Sequence, residues 1–422
     1  GVYPAAGVAV VALTVLLLIA TPGGMVRTLF QPRRLAIPDP EWARHAVSLF
    51  SLACLLSLIW IGLDGPRDPL SNLAPLTFWT LFWIGAVALA GLLGDIWRWL
   101  NPWTGLYALL GIRPSLNLPE RVGHWPALAL LIAFWAFLLA DVAPDDPARV
   151  AQGLGLYWLL VLVGMSLFGS AFLERCEAFT VLFRLYGALS PIRIGADGGI
   201  GAPGWRILAA PASLSLGFFA LASLGAGSFD GLNETFWWLA QIGVNPLEFP
   251  GRSAVVAPTL TGLALAIALL VLVFSAIVWI GFLLVSASSD APSAIPRLAL
   301  SVLPIAFGYH VAHYLTAFLV NGQYVVAALS DPWASGADFL GIQPFYVTTG
   351  FFNQLGSVRA IWLTQAGAVV IGHVWAVLLA HRIALDFFPT GRRAALATAP
   401  LSLFMIAYTF LGLWLLAAPR GA

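Results

Sequence analysis

Ten apolar runs, each close to 18 residues or longer, constrain this chain more than anything else in it. They fall at about 5–21, 46–63, 76–94, 124–143, 149–171, 205–227, 255–286, 296–327, 358–386 and 393–417. A helix needs roughly 20 apolar residues to cross a hydrocarbon core about 30 Å thick, so each run has the length of one crossing. Only 9% of the 422 residues are charged, against roughly 25% in soluble domains, which leaves too little polar surface to cover a particle in water. The expected fold is therefore all-α: a polytopic helical membrane protein with about ten transmembrane helices, forming one transmembrane domain over 1–422. Its one certain partner is the lipid bilayer.

All 20 basic residues are arginine. The absence of lysine excludes Schiff-base chemistry, and with it a retinal protein. No basic, aromatic-interleaved patch points to nucleic acid. Cys54 sits in an apolar run and Cys176 in a polar connection, so no structural disulfide is expected. Fifteen arginines fall in the connections of one side (27, 33, 34, 44, 98, 113, 121, 175, 184, 193, 206, 297, 382, 392 and 393) and five on the other. Positive charge is retained in the cytoplasm, so both termini are expected on the non-cytoplasmic side, which an even number of crossings also requires. The chain opens on Gly1 rather than Met, which fits removal of a preceding segment.

The connections differ in kind. Residues 95–112 carry Trp97, Trp99, Trp103 and Tyr107 among Arg98 and Asn101, and 174–190 alternate charges with Phe and Leu. Both segments are expected to lie on the membrane surface as amphipathic helices. The stretch GADGGIGAPG reads as a flexible loop, because it lacks the strand before it and the Gly-Lys-Ser/Thr of a nucleotide cradle. Two long loops, about 228–254 and 329–357, lie on the non-cytoplasmic side. Both are rich in aromatic and acidic or amide groups, and they cap a cavity, dock a partner or simply close the helices. No internal repeat supports an inverted-repeat transporter.

Chemistry concentrates in the two runs that carry four of the six histidines. His310 and His313 project from one helix face, and His373 on the antiparallel neighbour reaches a similar depth near the midplane. Imidazole in hydrocarbon is costly without a partner, so these three are the expected ligands of a divalent transition metal with an open position. Tyr314, Asn321, Gln365 and His381 are expected to support the ligands or to pass protons towards the cytoplasm. Pro304 predicts a kink just before the histidines. No carboxylate is expected at this depth. Haem held between His310 or His313 and His373 is an alternative, as are a proton path and plain structural histidines. No catalytic residue beyond the metal ligands is assigned. His45 and His124, at run starts, read as boundary residues.

The phrases GDIWRWLNPW (94–103), FWWLAQIGVNPLEFPGRS (236–253) and HVAHYLTAFLVNGQYVVAALSDPW (310–333) resemble a family of bacterial multi-pass membrane proteins often described as fenitrothion hydrolases. The resemblance implies a bacterial inner-membrane location and hydrolysis of an organophosphate ester, a reaction that suits a metal-activated water. It brings no established catalytic residues. Two functions from different classes follow. One is a membrane-embedded metal-dependent enzyme of hydrolase type. The other is a non-enzymatic membrane subunit or transporter, assembled with other membrane subunits, in which the histidines bind haem or relay protons.

Overall fold

The computed structural model describes residues 2–419 except 196, 211–212 and 249–250. Ten long helices carry the fold: α1 (Val2–Ala20), α2 (Glu41–Asp64), α3 (Leu73–Leu93), α4 (Glu120–Ala140), α5 (Pro147–Phe168), α6 (Leu214–Asn233), α7 (Val256–Leu284), α8 (Ser288–Ser330), α9 (Leu355–Phe387) and α10 (Gly391–Ala417). Eight of them are long and apolar enough to cross a membrane. The other two are α1, which makes a ninth only if it counts as one span with Gly23–Leu29 across a 117° bend, and α6, whose last turns carry Ser228, Asp230 and Asn233. Leucines such as Leu16, Leu156, Leu269 and Leu272 stand exposed on the helices. In water that would be an aggregation surface; in a bilayer it is the lipid-facing coat.

Burial separates the helices by role. The most apolar window of α8 is 78% buried and that of α9 61%, whereas those of α2 and α7 are each 22% buried. The α8–α9 pair is thus the axis of the protein, with α10, α1, α6 and α7 packed round it. Close approach at the axis depends on glycine: a Cβ at Gly308 would strike the Ala368 carbonyl, and one at Gly372 the Pro304 carbonyl. The break expected at Pro304 takes the form of a 3-10 turn at Leu300–Val302, after which the final helix of α8 starts at Leu303 with proline in its first turn. There the missing N–H is among those no helix can satisfy anyway.

The middle of α3 is π-helical over Thr77–Ala86, and this wide turn faces α8. π-Helical turns carry one extra residue and often mark functional sites, because they re-aim side chains. Here the turn delivers Trp83 inward, at 3% exposure.

The two expected surface segments are both helical, but neither is a single amphipathic rod. Residues 97–110 form two short helices, Trp97–Leu100 and Thr104–Leu110, around a buried Asn101 turn. The Asn101 side-chain oxygen accepts from Thr104 N at 3.1 Å, and its carbonyl accepts from Ser48 of α2 at 2.6 Å. Ala178–Gly187 is a correction: eight of its ten residues are buried, so it lies inside the protein rather than along a surface. Charge spacing on one face suggested an interface, but the charged face is short and the apolar one goes almost all the way round. The loop expected at 228–254 also begins later, because α6 runs on to Asn233.

The arginines gather as two separate sets. Arg297 and Arg382 both bind Asp386, and Arg27 donates to the Leu385 carbonyl at 2.7 Å. At the other end Arg149 pairs with Asp141, and Arg252 donates to the Asp141 and Leu138 carbonyls. Arg297 and Arg382, which share Asp386, both belong to the larger arginine set, and Arg149 and Arg252, which share Asp141, to the smaller one.

Candidate metal centre

α6 meets α8 at Asp230. Asp230 lies 16 residues beyond Leu214, about 24 Å along the helix at 1.5 Å per residue. Along α6 the site thus lies towards the end away from the large arginine set, whereas His313 lies near the middle of Leu303–Ser330. Asp230 is 5% exposed, and its Oδ2 is 3.1 Å from His313 Nε2 and accepts from the Tyr314 hydroxyl at 2.5 Å. Glu234 follows one turn later on the same face and is exposed at the end of α6. One ligand atom each from Asp230, Glu234 and His313 lies within 4.8 Å of the others. Ligand atoms that share one ion at bonds of about 2.1 Å sit no more than about 4.2 Å apart, so a slight closure brings all three onto a single ion.

The remainder of the site is aromatic. Tyr309 stacks on His313 at 5.6 Å between ring centres, and Gly231 lets it approach, since a Cβ there would overlap the Tyr309 hydroxyl. His310 meets Trp83 edge-on at 5.0 Å and Tyr314 at 4.9 Å, and its ring also leans on the backbone of the π-helical turn at Ile84. These groups line a cavity of about 10 Å³. That is about the least space that holds one water molecule. His310 Nε2 and His313 Nδ1 have no hydrogen-bond partner among the described residues. A buried polar atom without a partner costs about 1–3 kcal/mol; His373 Nε2 and His381 Nε2, outside the cavity, are unpartnered as well.

Of the three expected ligands, His310 and His313 line this cavity and His373 does not. His373 Nδ1 is 2.8 Å from the Val369 carbonyl, and its ring faces Tyr408 of α10 at 6.4 Å. Helical depth was legible from the sequence, but rotation was not. The Gly308–Gly372 crossing places glycine at the α8–α9 contact and turns His373, one residue on, towards α10. His381 is buried on α9 with Nε2 unpartnered, away from the cavity. Tyr314 is in the site as expected. Gln365 instead donates to the Ala312 carbonyl at 2.7 Å, tying α9 to α8, and half-buried Asn321 lies further along α8 outside the cavity lining.

The expectation that no carboxylate reaches the histidines was wrong. SFDGLNE follows an apolar run and looks like its polar exit, so hydropathy alone places Asp230 at the start of a loop. The usable signal was the four-residue spacing of Asp230 and Glu234, which puts both on one helical face. No family model matches the chain, and no curated protein or solved structure matches it.

Proposed function

We propose that this protein is a membrane-embedded metal protein whose ion is held by Asp230, Glu234 and His313, and that it is an enzyme of hydrolase type. The observation that carries the reading is the convergence of those three donors within 4.8 Å in an otherwise apolar helix bundle. One imidazole and two carboxylates suit a divalent transition metal. A bound ion of that kind would supply Lewis acidity and a water activated near neutral pH.

The chain's own residues do the rest. Tyr314 donates to Asp230 and fixes which carboxylate oxygen faces the site. His310, one turn from His313 with a free Nε2, is placed to take a proton from a water in the cavity. Trp83, Tyr309 and the α6 backbone exclude bulk water. With room for little more than one water, the cavity leaves the bulk of a substrate outside, and Glu234 is the exposed member of the donor set. In this reading the large arginine set faces the cytoplasm and both termini lie outside it. Glu234 then opens to the outer face of a bacterial inner membrane. The resemblance to fenitrothion hydrolases supports ester hydrolysis as the reaction class.

The same small cavity favours a second reading, in which a non-enzymatic subunit moves protons through His310, His313 and Asp230. It disfavours haem, for which a space of about 10 Å³ is far too small.

The test is metal analysis of protein purified without chelator, with hydrolysis of an aryl phosphotriester measured alongside. One ion per chain, lost in Glu234→Gln and His313→Ala together with hydrolysis, is the expected result. Absence of any bound ion after loading with zinc, manganese or iron(II) would defeat the metal centre. A bound ion without hydrolysis of any ester would favour the proton-moving subunit.

A further inference from the structure

At the end that carries most of the arginines, a second cavity of about 350 Å³ opens between the turn after α3 and the segment that follows Gly187. That volume lies within the roughly 300–1,000 Å³ of small-molecule sites. Arg98, Arg184, Arg193 and Arg206 line it, with Asp95 as the one lining carboxylate. Four positive groups against one negative leave an excess of three at the wall.

Neighbouring carboxylates reduce that excess unevenly. Asp39 pairs Arg98 at 2.7 Å, and exposed Asp197 lies 4.0 Å from Arg193. Arg184 donates to the Glu174 carbonyl at 2.9 Å and meets His124 Nε2 at 3.1 Å; both are neutral partners. The Glu174 carboxylate acts on Arg184 from outside, beside Arg175. Arg206 is the extreme case. It makes no hydrogen bond or ion pair with any described residue, and its Nε and Nη2 are buried and unpartnered. Burial pulls its pKa down to about 10, with Asp95 the one charge opposing that, so at neutral pH it stays charged.

The fold builds this cavity deliberately enough to be specific. Gly94, at φ 111°, turns the chain out of α3, and Gly187 lets the Asp95 backbone lie against the end of Ala178–Gly187. A three-stranded sheet pairs Arg33 with Ile200 and Ile192 with Ile200, holding the glycine-rich segment in place. The residues on either side of this loop, Ile192 to Ile194 and Arg206, line the cavity.

We propose that this cavity binds a phosphate group, carried by free phosphate or by the headgroup of an anionic phospholipid. Guanidinium matches phosphate because its planar N–H fork meets two oxygens at once, and a second arginine can take the others. An arginine that snorkels to the membrane surface would be exposed and hydrated; Arg206 is half-buried, and its Nε and Nη2, shut off from solvent, lack the partner a phosphate supplies.

The experiment uses the full chain in two arms. In detergent, binding of inorganic phosphate is measured by calorimetry. In nanodiscs of phosphatidylcholine with or without phosphatidylglycerol, lipid retained after extraction is counted by native mass spectrometry. Arg206→Gln should weaken the ligand at least about 10-fold, since a hydrogen bond to a charged group is worth that much. Arg193→Gln at the rim should weaken it less and serves if Arg206→Gln does not fold. Arg121→Gln, exposed at the same end outside the cavity, should change nothing. Sensitivity in the first arm assigns free phosphate, and sensitivity in the second alone assigns the lipid headgroup. If neither ligand responds to the cavity arginines, or Arg121→Gln costs as much, the proposal is overturned.

Discussion

Glu177 and Asp230 are both carboxylates sealed into an apolar helical protein, at 0% and 5% exposure, and both accept a tyrosine hydroxyl. They differ in what else is offered to them. Glu177 caps Ala178–Gly187, accepting from Phe179 N at 2.8 Å, Thr180 N at 2.6 Å and Thr180 Oγ1 at 2.5 Å. Tyr157 and, at 3.4 Å, Trp97 Nε1 complete its shell. Every partner is a donor that belongs to the fold, so the group is satisfied and closed. Asp230 instead faces an imidazole, with a second carboxylate one turn away and a cavity beside it. Two carboxylates drawn together next to imidazole repel unless a cation or a proton lies between them. The lesson is that burial alone does not mark a functional acid; the nature of its partners does.

Removing each carboxylate should separate the two cases. Glu177→Ala leaves several buried donors without an acceptor, so it should lower stability by about 3 kcal/mol or more, read as a large drop in melting temperature in detergent. Asp230→Asn is close to isosteric and should leave melting of the metal-free protein nearly unchanged, while metal affinity falls at least about 10-fold. Like behaviour of the two variants in both measurements would mean that their partners do not separate the two carboxylates.

Glu234→Gln sharpens the comparison because Glu234 is exposed and its loss cannot unfold a core. Metal affinity should drop about 10-fold with no change in melting. An unchanged metal content would reduce the site to a His313–Asp230 hydrogen bond.

His373→Ala should do the reverse. It removes a buried contact with the Val369 carbonyl and should cost about 1–2 kcal/mol of stability, with metal content held at the wild-type level. Loss of metal from this variant would restore the three-histidine site that the sequence alone suggested.

The smallest effect concerns the 331–354 loop. The Ser330 hydroxyl, together with the Ile342 and Gln343 backbone N–H groups, holds the Asp338 carboxyl below its ordinary value. A depressed folded pKa contributes stability that is present above the unfolded value of about 3.9 and lost as pH falls through the folded one. Protection of this loop against hydrogen exchange, relative to the intrinsic rate at each pH, should therefore fall only below about pH 4. Asp338→Asn should show the faster exchange at neutral pH, with the metal site untouched.

Hydropathy determined the all-helical fold and the places of most of the long helices, because the length of an apolar run must match the bilayer, but it set α6 too early, at 205–227 instead of Leu214–Asn233. Charge determined which arginines share an end. The placement of His310, His313 and Tyr314 on one face also followed from spacing, since a helix repeats every 3.6 residues. What the sequence did not carry is how each helix is rotated and which helix it meets. Glycine contacts at Gly308 and Gly372 decided that His373 faces α10, the extension of α6 to Asn233 decided that Asp230 reaches His313, and the sheet at Arg33, Ile192 and Ile200 framed the arginine cavity. These are contacts between residues far apart in the chain, and apolar periodicity is the same whichever neighbour a helix turns to.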